Sequence, residues 1–448
     1  MVPYLTKISE FASILRFSGL TPEVVKRAKF VLLDTIGVIA AGAQESEVNA
    51  LVGQLDPPQG QVTLLGQSKK VDSLNGALIN GMAGTFLELD EGNQFCRGHA
   101  AIHVVPALLA LAEERKLSGP ELIVALVAGY EIAARIGIAS KIRMSMHPHG
   151  TWGTVGAAVA IGRAAGLDYA SMSELINISS SMGLATSRKT MLEGATIRNA
   201  YAGLSNYMGL LAFKLFNAGF TGEKDGLTTV YGSVISESFD QAAMLENLGG
   251  RFEITRNYFK MHACCRYNHS ALDALQNIIG QFPKGHIPAD EVTAVKVETY
   301  SLAAQLCDQQ PANMLAAKFS IPFAIATCLT HGDTGVDCFH LEKVNDEGII
   351  SLARKVTVVE KSEYTAMMPE RRPSKVTLIL TDGSTFSAET FLNKGDFEDP
   401  YSESEIERKF YNLVEPVWGQ SRANEILKGL MALELLDDIG NITRLMGK

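Results

Sequence analysis

The sequence predicts a mainly α protein: a large all-α helical domain, residues 1–270 together with 400–448, and a smaller α+β domain, residues 271–399. Three observations carry this reading. Up to about Pro283, apolar and small residues recur at helical intervals, with no alternating stretch of any length. Beyond it, DEVTAVKVETYS, KVTVVEKSE and SKVTLILTDGSTFSAET alternate apolar with polar residues and are rich in Val and Thr, as strands are. Then Ser402 and Glu405 form a capping box that opens the C-terminal helices, which are expected to pack back on the first domain.

Thr21-Pro22-Glu23 supplies a capping Thr, Pro at the first helical position and an acid in the first turn. It predicts a helix to near Gly42, inside which Asp34 reads as a buried acid bonded to backbone. VDSLNGALINGMAGTFLELD, from Val71, is helical and leads into LELDEGNQFCRGHAAIHVVP. Pro106 marks either a first helical turn or a kink in a helix that starts near His99. Ser118-Gly119-Pro120-Glu121 is a second helix start, and three more small-residue-rich helical segments run to Gly219. In the second domain, NMLAAKFSIPFAIATCLTHG and CFHLEKVNDEGIISLARK read as helices. Asp382-Gly383 reads as a hairpin turn.

Composition bounds the function. The 448 residues are 46% hydrophobic and 20% charged, which suits a folded globular chain. The 40 glycines lie largely beside Ala in helical patterns, so close helix packing is expected. A net charge of −9 without a Lys/Arg run argues against a nucleic-acid groove. Six irregularly spaced cysteines fit a reducing compartment better than a disulfide framework. No signal-peptide core and no apolar run of ~18 residues is evident, so a cytoplasmic protein without a membrane span is expected.

Chemistry-bearing residues concentrate in three places. The first holds Glu88, Asp90, Glu91, Arg97, His99 and His103. On a helix the two histidines share a face, and the acids are placed to orient them. The second is MHPHGTWGTVG, with His147 and His149 and a glycine turn that leads into a helix. It lacks the Gly-Lys-Ser/Thr of a P-loop and the preceding strand of a dinucleotide fingerprint. The third is KMHACCRYNH, with Lys260, His262, Arg266 and His269. Cys264 and Cys265 read as buried structural thiols. Arg188, Lys189 and Arg198 flank MLEGAT and offer cations to a carboxylate. Histidines suit proton transfer near neutrality. HExxH and CxxC sets are absent, so neither metal nor cofactor is expected.

Taken in order, LLDTIGVIAAG, NGMAGTFLELDEGN, GHAAIHVVPALLALAEE, HPHGTWGTVGAAVA, AGFTG, ALDAL, AAKFSIPFAIA and NKGDFEDPYSESEIERKF resemble the MmgE/PrpD family across nearly the whole chain. That family includes 2-methylcitrate dehydratase, cis-aconitate decarboxylase and iminodisuccinate epimerase. The resemblance implies a homodimer with the pocket between domains. It also implies cofactor-free chemistry beside a carboxylate of a small di- or tricarboxylate. It maps the acid turn onto Glu88, Asp90 and Glu91, and the family histidines onto His99, His147 and His269. Three departures stand out. Glu88 replaces an Asp. The family's Lys–His pair is matched only by Lys189 with a gap. Phe323 stands where decarboxylase-like members carry Tyr.

These readings converge on a lyase or isomerase, most simply a 2-methylcitrate dehydratase-like hydro-lyase, with epimerase and decarboxylase as alternatives. His99, His147, His269, Asp90 and Glu88 are the expected catalytic groups. Arg198, Lys189, Arg266 and Lys260 are the expected substrate cations. Two rival classes remain: a metal-dependent hydrolase using His99, His103, His147 and an acid, and a non-catalytic carboxylate binder.

Overall fold

Thr21 accepts a hydrogen bond from the Val24 N–H at 3.3 Å and starts α1, Pro22–Gly42. The other long helices follow the small-residue pattern: α2 (Ser73–Phe86), α3 (Ala100–Arg115), α4 (Gly119–Ala139), α5 (Gly153–Ala164) and α6 (Ala200–Asn217). A computed structural model describes residues 2–282 and 285–448. The glycines set the helix spacing. A Cβ on Gly81 would come 2.7 Å from the Gly203 Cα, so α2 and α6 touch backbone to backbone. On Gly129 it would come 2.6 Å from the Gly156 carbonyl, where α4 meets α5.

Beyond these helices lie α7 (Arg266–Ile279), β1 (Val292–Thr299), α8 (Ile321–His331), β2 (Val356–Glu360), β3 (Ser374–Leu380) and β4 (Thr385–Thr390). The sheet order is β4-β3-β1-β2. β1 and β2 run parallel, with Val297 opposite Val358, and the other pairs are antiparallel. β3 alternates buried and half-buried residues, as its sequence predicts, and α7 covers β3 and β4. Asp382-Gly383 turns the β3–β4 hairpin, with Gly383 at φ 85°. The chain closes with α9 (Glu403–Met431), capped by Ser402 and Glu405, which packs back on α1. The protein is mostly helical with a small sheet, and one hydrophobic cluster runs through helices and sheet alike.

Two sequence expectations change. Short ladders occur ahead of the sheet: Gln59–Thr63 pairs with Lys70–Val71, Ser140–Ile142 with Ser236–Phe239, and Gly92–Asn93 with Asn257–Tyr258. They are too short to leave an alternating signal. Both helical segments expected in the second domain are broken: the one before His331 into Met314–Lys318 and α8, parted at Phe319-Ser320, where Ser320 caps α8, and the one from Cys338 into Leu341–Val344 and Glu347–Ala353. α4 is long and apolar enough to cross a membrane by length and composition. Here it is a core helix, its apolar window 94% buried, and its Glu131 and Arg135 pair at 2.7 Å.

α3 begins just after His99 and carries Pro106 inside it. A proline has no N–H, so the Ile102 carbonyl four residues back loses its helical donor. Asn206 on α6 fills the gap. Its Nδ2 donates to the Ile102 carbonyl at 2.8 Å, and its Oδ1 accepts the Ala107 N–H at 2.9 Å. One amide thus bridges the kink and fixes the helix that presents His99. Asn206→Leu leaves both backbone groups buried without partners, each worth about 1–3 kcal/mol. Urea unfolding is expected to show a loss of about 2–4 kcal/mol with an unchanged m-value.

Candidate active site

The turn between α2 and α3 is built on buried lysines. Glu88 adopts a left-handed backbone (φ 53°), an uncommon conformation for a non-glycine residue. Lys318 Nζ donates to the Phe86 carbonyl at 2.9 Å, Lys260 Nζ to that of Glu88, and Lys409 Nζ to that of Leu89 at 2.7 Å. Lys409 also pairs with Asp34, whose other oxygen accepts the Glu91 N–H at 3.0 Å. Asp34 is therefore the backbone-bonded acid the sequence suggested. All three lysines are buried. Burial lowers the Lys318 ammonium to about 8.

This turn orients His99. The His99 Nδ1 lies 2.7 Å from the Glu91 carbonyl and 2.9 Å from Asp90 Oδ2. Both are acceptors, so Nδ1 carries the proton and Nε2 is left for chemistry. Burial alone would raise the Asp90 carboxyl. His99, Lys260 and Arg198 outweigh it and hold Asp90 well below the usual carboxylate range. Glu91 does different work. Its Oε1 accepts the Ala101 N–H at 2.9 Å at the start of α3, and its Oε2 meets Tyr130 and Asn257, both at 3.2 Å. Burial pushes Glu91 up to about 8.

The second histidine turn meets the first. His147 Nδ1 accepts the His149 N–H at 3.0 Å, so neutral His147 carries its proton on Nε2. Burial, then Arg198, holds both His147 and His149 well below the ordinary imidazole range, with Arg188 adding to the effect on His147 and the neighbouring histidines to that on His149. The His149 ring stands edge-on to His99, His103 and His147 at 4.7–4.9 Å. His103 is structural: its Nδ1 bonds the His99 carbonyl at 2.7 Å and its Nε2 accepts from Gly150 at 3.4 Å. Burial lowers it to about 4.

These groups surround one pocket. Of the predicted residues, Glu88, His99, His147, Arg198 and Arg266 line it, and Asp90 stands behind His99. Glu88 is paired with Arg198, and the Arg198 guanidinium also lies over the Phe319 ring. Arg266 is matched by Asp396 at 2.6 Å. Three predicted site residues fall outside. His269 is fully buried, with Nδ1 against Arg266 at 2.9 Å and Nε2 near the Cys264 carbonyl at 3.3 Å. Burial and Arg266 keep it neutral, so it braces Arg266 and does not face the pocket. Lys260 holds the turn from beneath. Lys189 is exposed, and its neighbour Arg188 lines the pocket in its place. Phe323 is buried away from the pocket, where Phe319 is the aromatic that α8's approach supplies.

Sequence reasoning missed Tyr258 and Arg372. The Tyr258 hydroxyl rests over Gly92, where any Cβ would come within 2.5 Å of it. Burial keeps this phenol protonated. Arg266 and Arg372 lie over its ring at 4.5 and 5.8 Å. Arg372 is 278 residues from its backbone partner, the Gln94 carbonyl, so no local pattern announces it. His149 had a signal in HPHG but no assigned role. Among the described residues, no three His, Cys, Asp or Glu side chains are grouped as metal ligands, and His99, His103 and His147 each commit a ring nitrogen to backbone.

Residues 6–241 match the MmgE/PrpD N-terminal domain and residues 262–435 the MmgE/PrpD C-terminal domain. Cis-aconitate decarboxylase of Aspergillus terreus is 25% identical, over 98% of this chain and 95% of that protein. The human protein of the same name is 24% identical over 96% and 92%, and the mouse one 23% identical over 96% and 91%.

Glu91 gives this site a pH signature. Below about 4.5 the folded and unfolded chains both hold its proton. Between there and about 8 only the folded chain does, so stability falls as pH rises through this window. In Glu91→Gln the amide keeps the Ala101 bond and no longer titrates. Unfolding midpoints from pH 5 to 8.5 are expected to fall less steeply in the variant than in the wild type.

Proposed function

The chain belongs to the MmgE/PrpD family, and from that premise we propose that it is a lyase acting on a small tricarboxylate, with decarboxylation of a cis-aconitate-like substrate as the leading reaction. The observation that carries this reading is the pocket itself. Five arginines, Arg97, Arg188, Arg198, Arg266 and Arg372, converge on His99 and His147. Several carboxylates thus find guanidinium partners beside a poised imidazole. The relatives' shared name favours decarboxylation over the other family reactions.

The reaction balances with one proton taken up. The bond to one carboxylate breaks and CO₂ leaves. Its electron pair becomes a new terminal double bond, and the old double bond takes a proton at its CH end. His99, oriented by Asp90, is the group to deliver that proton from Nε2. His147, with hydrogen on Nε2, donates to a substrate carboxylate without adding charge. Phe319 and Met191 form an apolar wall. A carboxylate turned toward it is poorly solvated, whereas departing CO₂ has no charge to solvate.

A hydro-lyase on a 2-methylcitrate-like hydroxy acid is the second reading. It draws on Tyr258, a protonated phenol in the same pocket, placed to protonate a leaving hydroxyl. His99 Nε2 then serves as the base. Proton NMR in D₂O with both substrates separates the two. Decarboxylation yields a methylene product carrying deuterium at the carbon that took the proton, whereas dehydration yields water loss without CO₂. Turnover of neither substrate, with no exchange into any tested di- or tricarboxylate, would falsify the lyase reading.

His99→Ala is expected to cut turnover ~10²–10⁴-fold with the melting curve intact. If His99→Ala and His147→Ala both keep near-full turnover, the proton-transfer scheme is wrong. Arg188→Ala is expected to raise KM, while Lys189→Ala, whose side chain is exposed, leaves both kcat and KM near wild type.

A further inference from the structure

A second pocket adjoins the first, and the two share Arg97, Pro148, Arg188 and Tyr267 as a common wall. Its outer side carries Arg143, which is exposed. Arg97, Arg143 and Arg188 have one property in common. None has a carboxylate within 4.0 Å among the described residues, whereas Arg198 and Arg266 are each matched by an acid. Arg143 is held by backbone alone, donating to the Ser233 and Val234 carbonyls at 3.0 and 3.2 Å. Arg188 reaches only the Gln305 amide oxygen at 3.2 Å, and its Nη2 is buried without a partner. Arg97 sits in a left-handed backbone (φ 56°) that turns its exposed side chain toward both pockets.

Three guanidinium groups without an acid partner line these two pockets in a chain whose net charge is −9, and the Nη2 of one of them, Arg188, is buried. An overall negative field repels a polycarboxylate, so a local positive path is what brings it in. We propose that the second pocket is the access route and a weak outer binding site for the anionic substrate, with Arg143 the first contact, Arg97 and Arg188 the relay into the catalytic pocket. This rests on the proposed action on a small polycarboxylate. It adds where the substrate enters and which residue outside the reacting site sets the association rate.

The test uses tricarballylate, an unreactive tricarboxylate, and reads its association and dissociation rates from proton line-broadening on the full-length protein. Arg143→Gln is expected to slow association roughly three- to tenfold at low ionic strength, since steering by a charged path is worth about 10–10³ in all. Dissociation is expected to change less. Arg143→Lys keeps the charge and is expected to restore most of the rate. Lys428→Gln removes an equal charge from exposed α9, outside both pockets, and is expected to behave as wild type. At ~1 M salt, where the Debye length is about 3 Å, all variants are expected to converge. If Arg143→Gln associates as fast as wild type at low salt, or if Lys428→Gln slows it equally, the access route is overturned and the catalytic reading stands. If the wild type neither broadens nor depletes the ligand signal, the tricarboxylate reading itself fails and the route falls with it.

Discussion

The site depends on three ammonium groups bound to one turn. Lys318, Lys260 and Lys409 come from widely separated parts of the chain and converge on the carbonyls of Phe86, Glu88 and Leu89. Each buried charge is expensive unless it is satisfied. Peptide carbonyls satisfy these, and the Lys–carbonyl bonds in turn hold Glu88 in a backbone conformation that an acidic residue rarely adopts. From that fixed turn the Glu91 carbonyl and the Asp90 carboxylate set the His99 tautomer. Lys260 and Lys318 thus tie the later part of the chain to the turn that orients His99, and Lys409 ties the C-terminal helix to it. Loss of packing far away is felt at Nδ1 of one imidazole.

The charge balance around the turn is close. Four carboxyls, Asp34, Glu88, Asp90 and Glu91, face four cations, Lys260, Lys318, Lys409 and Arg198. Burial pushes Glu91 toward its protonated form, which leaves the group one positive charge in surplus. Arg188 and Arg372 add more on the pocket side. Substrate carboxylates complete the balance. Neutral His147 and His149 fit the same logic, because further imidazolium charge beside so many arginines is held off by repulsion and burial together. Of the four histidines clustered here, His99 is the one with a carboxylate, Asp90, against its ring.

Much of the fold was legible because its determinants are local. Caps at Thr21, Ser118 and Ser402, the alternation in β3 and the Asp382-Gly383 turn are each readable within a few residues. The family motifs likewise pointed to His99, His147 and the acid turn. What escaped was long-range. Arg372 joins the site through a carbonyl 278 residues away, and Tyr258 joins it through a two-residue ladder to Gly92. Lys189 and Arg188 differ by one position, and at the start of the four-residue helix Lys189–Leu192 that one step decides between solvent and pocket. His269 misled for a related reason. Density of titratable residues in KMHACCRYNH reflects a buried network of His262, Arg266, His269, Asp273 and Asp396, whose polar atoms mostly satisfy one another.

That contrast separates the two histidine clusters on physical grounds. Around His269 most hydrogen-bonding groups are answered from within the protein, the Arg266 Nε apart: Arg266 by Asp396 and the Lys394 carbonyl, and His269 by Arg266 and the Cys264 carbonyl. Around His99 the accounts stay open. Arg198 Nε, Arg188 Nη2, Arg372 Nε and His149 Nδ1 are buried with no partner among the described residues. A folded protein leaves few such atoms unmet, because each costs free energy. Their concentration around one pocket means that the protein's own groups do not complete the site. A polar ligand that presents several acceptors at once suits guanidinium groups on different sides. A small polycarboxylate has that shape and charge, and a monocarboxylate of similar size does not.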